Sequence, residues 1–213
     1  MKITIIGAGG NIGQRIAKEA ATRGHELTLI TSKSLDFFGF ASADNIKVKS
    51  GDVFKTDQLS ELLKGSDVVI SAYAPPADNS ELISKASSSL IEAAKKAKVR
   101  LIAVGGAGSL YVNDNTQLVD TPDFPEVYKT IALAHRTAME NLYYEETELN
   151  WTIASPSAYI FEGERTNQFR IGNNNLLTNE KGESAISMED FAVGILNEVD
   201  EARFIKARFT IGY

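Results

Sequence analysis

The chain has 213 residues, room for one α/β domain with a sizeable core and not for a second full domain, and 43% of them are hydrophobic, an ordinary globular content. Its 22 Lys plus Arg against 28 Asp plus Glu leave a formal charge of −6, with Lys95, Lys96 and Lys98 as the single basic cluster, which argues against nucleic acid and anionic membrane as partners. With no cysteine, disulfides, thiolate chemistry and Cys-ligated metal are excluded, and no apolar run nears the roughly 18 residues of a membrane span.

Ile3, Ile5 and Ile6 form a short β-branched run suited to a buried strand, glycines follow at once, and Gln14 to Arg23 reads as a helix. A strand, a glycine turn and a helix start make a phosphate site: the first N–H groups of the helix point at the ligand, the macrodipole favours an anion, and glycines admit the pyrophosphate to the backbone. The spacing is Gly7-x-x-Gly10-x-x-Gly13, with Asn11 and Ile12 inside it. Ile12, Ile16, Ala17 and Ala20 share one helix face, and Gly24 closes the helix in a left-handed turn, with His25 placed at the surface.

Glu26 to Thr31 reads as the second strand. Its end decides the cofactor, because an Asp or Glu there would bind the ribose hydroxyls of NAD. Thr31, Ser32 and Lys33 stand at that place instead, and Ser32 with Lys33 suits a 2′-phosphate, so NADP is preferred over NAD. Phe37, Phe38 and Phe40 in the next connection are expected to pack on the sheet edge, the alternative being that they flank the adenine. Ile46 to Lys49 is the third strand, and Asp52 and Val53 follow it on the cofactor side, where Asp52 can accept from the adenine amino group.

Thr56 to Lys64 is an amphipathic helix, and Asp67 to Tyr73 a strand covered on both faces. Ala72, Tyr73 and Ala74, before Pro75-Pro76, border an open crevice loop. Helix resumes after Asp78, which pairs with Glu81 as a cap, and Val99 to Val104 is the fifth strand, ending in Gly105 and Gly106. Tyr111 to Pro125 is a polar rim or lid, and Glu126 to Glu146 a long helix with Val127, Ile131, Ala134, Ala138 and Leu142 inward. Asn150 to Ala154 is the sixth strand, with Ser155-Pro156-Ser157 at the same cofactor edge. Residues 159–175 lack periodicity and suit a substrate loop; Ser184 to Ser187 is a short strand, Ser187 caps the last helix with Asp190 in its first turn, and Arg208 to Tyr213 is a last strand at the sheet edge.

Strands and helices thus alternate five times. The expected fold is α/β, a doubly wound Rossmann-type parallel sheet with helices on both faces, as a single domain over 1–213 with a small substrate-side elaboration at 156–187. A strand at the N-terminus leaves no place for a signal peptide, so a cytoplasmic monomer or homodimer acting on a small molecule, without metal, is expected.

Taken together, the glycine spacing, Gly51-Asp52-Val53, Val104-Gly105-Gly106-Ala107-Gly108-Ser109-Leu110, Trp151 to Pro156, Gly163-Glu164-Arg165-Thr166 and Ser187 to Ala192 resemble atypical short-chain dehydrogenases. Within these the chain is most similar to the bacterial NAD(P)H-flavin reductase-like group, relatives of biliverdin reductase B and of NmrA-like proteins. The resemblance implies a dinucleotide across residues 7 to 13, 31 to 33, 52 to 53, 72 to 74 and 105 to 106, and a reducible planar substrate over the nicotinamide. Departures from the pattern matter too. Tyr-x-x-x-Lys is missing, because Tyr128 is followed four residues later by Ala132; Gly106 stands where an active-site serine is usual; Ser32 replaces an arginine; and Asn167 and Phe169 replace glycine and tyrosine.

Without the tyrosine and lysine, no proton donor meets a developing alkoxide, so carbonyl reduction is disfavoured. Flavins and quinones need only positioning, because hydride enters an electron-poor ring and the proton can come from water. The expected activity is hydride transfer from NAD(P)H to a flavin or quinone-like acceptor, with flavin as substrate rather than tightly held cofactor; the alternative is an NmrA-like redox sensor with little turnover. Ser109 is a candidate hydrogen-bond donor to the substrate or a plain turn residue. Tyr128 and His135, two helical turns apart, can project toward one cleft or simply pack. Tyr111, Ser157 and Arg165 are substrate candidates, Arg165 being either a clamp or an ion-pair partner of Glu162 or Glu164.

Overall fold

The structure, a computed structural model, describes residues 1–31, 44–76 and 78–213. In chain order it runs β1 (Lys2–Ile6), α1 (Asn11–Thr22), β2 (Glu26–Thr31), β3 (Ile46–Ser50), α2 (Thr56–Leu63), β4 (Val68–Ser71), α3 (Leu82–Ala97), β5 (Arg100–Val104), β6 (Tyr111–Asn113), β7 (Thr116–Gln117), α4 (Glu126–Ala138), β8 (Trp151–Pro156), β9 (Tyr159–Phe161), β10 (Arg170–Gly172), β11 (Ala185–Ser187), α5 (Met188–Glu201) and β12 (Ala207–Gly212). Eight of these strands form one sheet in the order β10-β12-β8-β5-β4-β1-β2-β3, parallel throughout except for β10, which runs antiparallel to β12. The chain winds outward from β1 to β3, then returns to lay β4 on the other side of β1. Strand order therefore reverses between β1 and β4, and a crevice opens there at the carboxyl ends of the strands.

The central strands are apolar because helices cover both faces. On one face α1 and α5 bury Ile16, Ala17, Ala20, Phe191 and Ile195 against Ile3, Ile5 and Phe209; on the other, α2 and α3 bury Leu59, Leu63, Leu90 and Ala94 against Val69, Leu101 and Trp151. Each large side chain fully removed from water contributes about 1.5–3 kcal/mol, so these two layers carry the stability of the domain. Ser187 caps α5, its hydroxyl accepting from the Asp190 N–H at 3.0 Å. Among the described residues, no helix is long and apolar enough to cross a membrane.

Several local expectations are corrected. The last strand is not at the edge: β12 lies between β8 and β10, and the edge belongs to three residues of the 159–175 stretch, too few to show a period in sequence. The helix after Pro125 does not run straight to Glu146. α4 ends at Ala138 and a π-helical turn follows over Met139–Tyr143, which advances the phase so that Met139 and Tyr143 are buried and Leu142 is only partly so. Val127 is 80% exposed, because the first turn of α4 overhangs the sheet's rim. His25 is buried rather than at the surface: the Gly24 turn tucks its ring against the N-terminal ammonium, 3.3 Å from Nδ1. Asp78 and Glu81 do not cap α3, whose start is closed by backbone bonds from Leu82 N–H to Asn79 O and Ile83 N–H to Ser80 O. The 111–125 connection contains the β6–β7 hairpin and a 3₁₀ turn.

Candidate functional site

The crevice at the β1–β4 reversal is a cleft of ≈ 620 Å³, within the usual size of cofactor sites. Gly7, Gly9 and Gly10 line it after β1, Thr31 at the end of β2, Gly51, Asp52 and Val53 after β3, and Ala72, Tyr73 and Ala74 after β4. The glycines differ in what demands them. Gly7 has φ +74° and a Cβ there would stand 2.6 Å from the Ala72 carbonyl oxygen; a Cβ on Gly13 would stand 2.2 Å from the Gly7 oxygen. Both are required by the fold itself. Gly10 has φ −80° and ψ 165°, open to any residue, and its Cβ would meet only the Gly7 oxygen, at 3.4 Å. Neither its conformation nor its protein neighbours require glycine.

What glycine at 10 does is keep a floor of bare backbone beneath the cleft. α1 starts beside it without a side-chain cap, so the N–H groups of Asn11, Ile12 and Gly13 carry the helix's positive end toward that floor. This is a cradle that a Cβ would fill and that a pyrophosphate fits. At the rim, Asp52 is exposed and fixed by its own turn, Oδ1 accepting from the Phe54 N–H at 2.9 Å. Val53 sends its side chain into the core and offers only backbone. Tyr73 packs edge-on to Phe54, ring centroids 5.8 Å apart, and burial and then the Asp52 charge raise its phenol above the ordinary value, so it stays neutral. Ser32, Lys33, Phe37, Phe38 and Phe40 lie outside the described residues.

Tyr73 also lines a second, smaller cavity of ≈ 30 Å³ at the inner end, beneath the ends of β4, β5 and β8. Ser71, Gly106, Ser109, His135, Tyr143 and Ser155 supply its polar and backbone walls. A Cβ on Gly105 would stand 2.7 Å from Ile153 Cγ2, so glycine there is a packing requirement between β5 and β8. At Gly106 a Cβ would stand 3.3 Å from both Cβ and Cγ of His135. His135 therefore packs closely against Gly106, and a side chain at 106 would press on the imidazole. Burial lowers His135 to about 4, and the Tyr143 phenol is pushed up to about 12 by burial. Around neutral pH this end of the site holds a neutral imidazole and a neutral phenol, and neither is an acid of matched strength.

The remaining predicted residues divide. Ser109 does line the inner cavity, but its hydroxyl already accepts from Arg208 Nη1 at 2.8 Å. Tyr128 is 60% exposed, on the solvent side of α4, and lines neither cavity, so it does not join His135. Ser157 is buried with its hydroxyl donated to the Ile211 carbonyl at 2.9 Å, which commits it to the β8–β12 junction. Pro156 is buried in the same strand, in register with Ile211. Tyr111 begins the β6 hairpin and ties it to the 174–176 segment through its backbone.

Arg165 pairs with neither Glu162 nor Glu164. Its Nε and Nη2 reach Glu19 on α1 at 2.7 and 3.0 Å, and that pairing holds the buried Glu19 carboxyl below the ordinary range. Around it Glu189 accepts from the Gly163 N–H, the Ser187 hydroxyl donates to Glu164 O, and Asp190 accepts from the Thr166 hydroxyl and the Asn167 N–H. The Gly-Glu-Arg-Thr block is therefore a strap fastened to α1 and α5.

Sequence reasoning placed Ser155 at the cofactor edge and missed Tyr143 and Arg208. Arg208 is 4% exposed and, among the described residues, has no carboxylate partner; its hydrogen bonds go to Ser109, Asn174 and Met139. A charged residue inside an otherwise apolar strand was the available signal. Tyr143 gave none, because only the π-helical turn brings it inward.

The NAD(P)H-binding family profile matches residues 7–202. Among solved structures, a Burkholderia pseudomallei protein, provisionally named as exported, is 41% identical with a TM-score of 0.91, covering 100% of both chains. A Bacteroides thetaiotaomicron protein provisionally named an epimerase is 35% identical with a TM-score of 0.93, covering 100% of this chain and 96% of its own. A Streptococcus pneumoniae protein provisionally named an NADH-flavin reductase is 35% identical with a TM-score of 0.90, covering 100% and 99%. Two of the three names state an activity and they differ, while the folds of all three agree with this one. With its β1–β4 reversal, its glycine cradle and a family match over nearly its whole length, the chain belongs to the NAD(P)H-binding family.

Proposed function

We propose that this protein is an NAD(P)H-dependent oxidoreductase that delivers hydride to a flavin or quinone-like acceptor, with NADP preferred over NAD and the flavin as substrate. One observation carries the reading. Among the described residues the serine at 106 and the tyrosine–lysine pair that usually serve a ketone's developing alkoxide are both missing: Gly106 lies against His135, and Tyr128 faces solvent with Ala132 four residues on. An epimerase of the usual short-chain kind would need the same missing pair. The name of the Streptococcus pneumoniae neighbour agrees with the reductase reading.

When bound, a reduced nicotinamide supplies the hydride. The work of the chain is positional. The first turn of α1 and the Gly10 backbone would hold the pyrophosphate, Asp52 would meet the adenine side, and Ala72, Tyr73 and Ala74 would border the dinucleotide between its two halves. Gly105 and Gly106 keep the inner end flat, and the neutral His135 orients polar atoms there by hydrogen bonding.

The test is steady-state oxidation of NADPH and NADH, at equal concentration, with FMN, riboflavin, a small quinone and a small ketone, beside calorimetric titration of each dinucleotide. Reduction of flavin or quinone with the ketone untouched supports the proposal. Ketone reduction at a similar rate contradicts it, and tight dinucleotide binding with no acceptor reduced replaces it with a sensing role.

A further inference from the structure

Among the described residues, two hydroxyls beneath the inner end of the cleft have no hydrogen-bond partner: Tyr143 Oη, on a residue 3% exposed, and Ser155 Oγ, on a residue 1% exposed. Ser87 lies beside the Tyr143 hydroxyl without meeting hydrogen-bond geometry. Both hydroxyls line the same cavity of ≈ 30 Å³. Leaving such groups unpaired costs about 1–3 kcal/mol each, and native interiors meet that cost with bridging water. The space suits it. One water needs about 10–15 Å³ of volume measured in this way, so the cavity accommodates two, and Ser71, Ser87 and His135 complete the polar partners each requires. Ile83, Leu90 and Ile153 close the cavity on its core side. Tyr73 stands between it and the cleft, lining both.

We propose that this cavity is a site for two ordered waters, held by Tyr143, Ser155 and His135, and that it is the route by which the reduced acceptor receives its proton. The second half rests on the function proposed above. Hydride brings two electrons to the acceptor ring and leaves it with one negative charge. One O–H bond of the nearer water breaks as an O–H or N–H bond forms on the acceptor, the second water passes its proton to the first, and solvent restores the second. The net change is one proton taken from solvent, and no protein group ends charged. Tyr143 and Ser155 are positioning residues that keep the two waters in line.

Two readouts test this. A high-resolution crystal structure is expected to show two water peaks within hydrogen-bond distance of Tyr143 Oη and Ser155 Oγ; a dry cavity, with the hydroxyls bonded to protein atoms, overturns the site whether or not any acceptor is reduced. For the route, Tyr143→Phe is expected to bind NADPH with unchanged Kd and to lower kcat with FMN roughly tenfold. The variant should also show a larger ratio of rates in H₂O and D₂O than the wild type. Unchanged kcat and isotope ratio overturn the route, and Ser155→Ala gives the same readout should Tyr143→Phe fail to fold. Loss of all acceptor reduction in the wild type would sink the reductase reading instead, leaving the water site to the crystallographic result.

Discussion

His135 gives the sharpest quantitative prediction. Burial lowers its imidazole from 6.5 to about 4, so below pH 6.5 the unfolded chain binds a proton that the folded chain refuses until about pH 4. Stability from this residue is therefore fully present above pH 6.5, is lost progressively as pH falls toward 4, and changes no further below that. At about 1.4 kcal/mol per pH unit, the whole interval is worth about 3 kcal/mol, and about 2 kcal/mol is gone by pH 5. Urea unfolding of the wild type and of His135→Gln at pH 7.5 and 5.0 isolates the effect, because repacking against Gly106 alters both pH values alike. His25, the other histidine, is also lowered, chiefly by burial, and is present in both proteins. The wild type should lose about 2 kcal/mol more than the variant between the two pH values. Equal losses would mean that the imidazole is not buried against Gly106.

The glycines should separate fold from function. Gly13→Ala, whose Cβ would stand 2.2 Å from a backbone oxygen, is expected to lower the melting temperature markedly, whereas Gly10→Asp should leave it nearly unchanged and abolish calorimetric dinucleotide binding. Arg165→Ala should cost about 1–3 kcal/mol in urea unfolding, because it removes two hydrogen bonds from the buried Glu19 carboxylate, while KM for FMN stays constant; a raised KM with unchanged stability would restore Arg165 as a substrate clamp. Ser32→Asp should shift the ratio of NADPH to NADH affinity toward NADH, by placing a carboxylate where ribose hydroxyls bind and a 2′-phosphate does not; an unchanged ratio would remove Ser32 from the ribose pocket.

Most of the fold is legible in the sequence because its signals are local and redundant. The Ile3–Ile6 run, the glycine spacing and the alternation of apolar strands with helices each point to a doubly wound parallel sheet, and the order of β1, β2 and β4 bears this out. What was not legible depends on geometry that no local pattern encodes. The π-helical turn at Met139–Tyr143 adds a residue to the helical repeat, so counting by 3.6 sends Leu142 inward and leaves Tyr143 out. Arg165 pairs across 146 residues, which makes nearby Glu162 and Glu164 look like its partners. The inner site reads least well of all, since the contact of Gly106 with His135 is tertiary.

The central claim is that the cleft over Gly10 binds a reduced dinucleotide and passes its hydride to a flavin or quinone. Acceptor-dependent oxidation of NADPH by the wild type, measured beside Gly10→Asp with matching circular dichroism spectra, tests it most directly. The account predicts turnover with FMN or a small quinone in the wild type and none in the variant. Equal turnover in the two proteins, or none in the wild type with either acceptor, would contradict it.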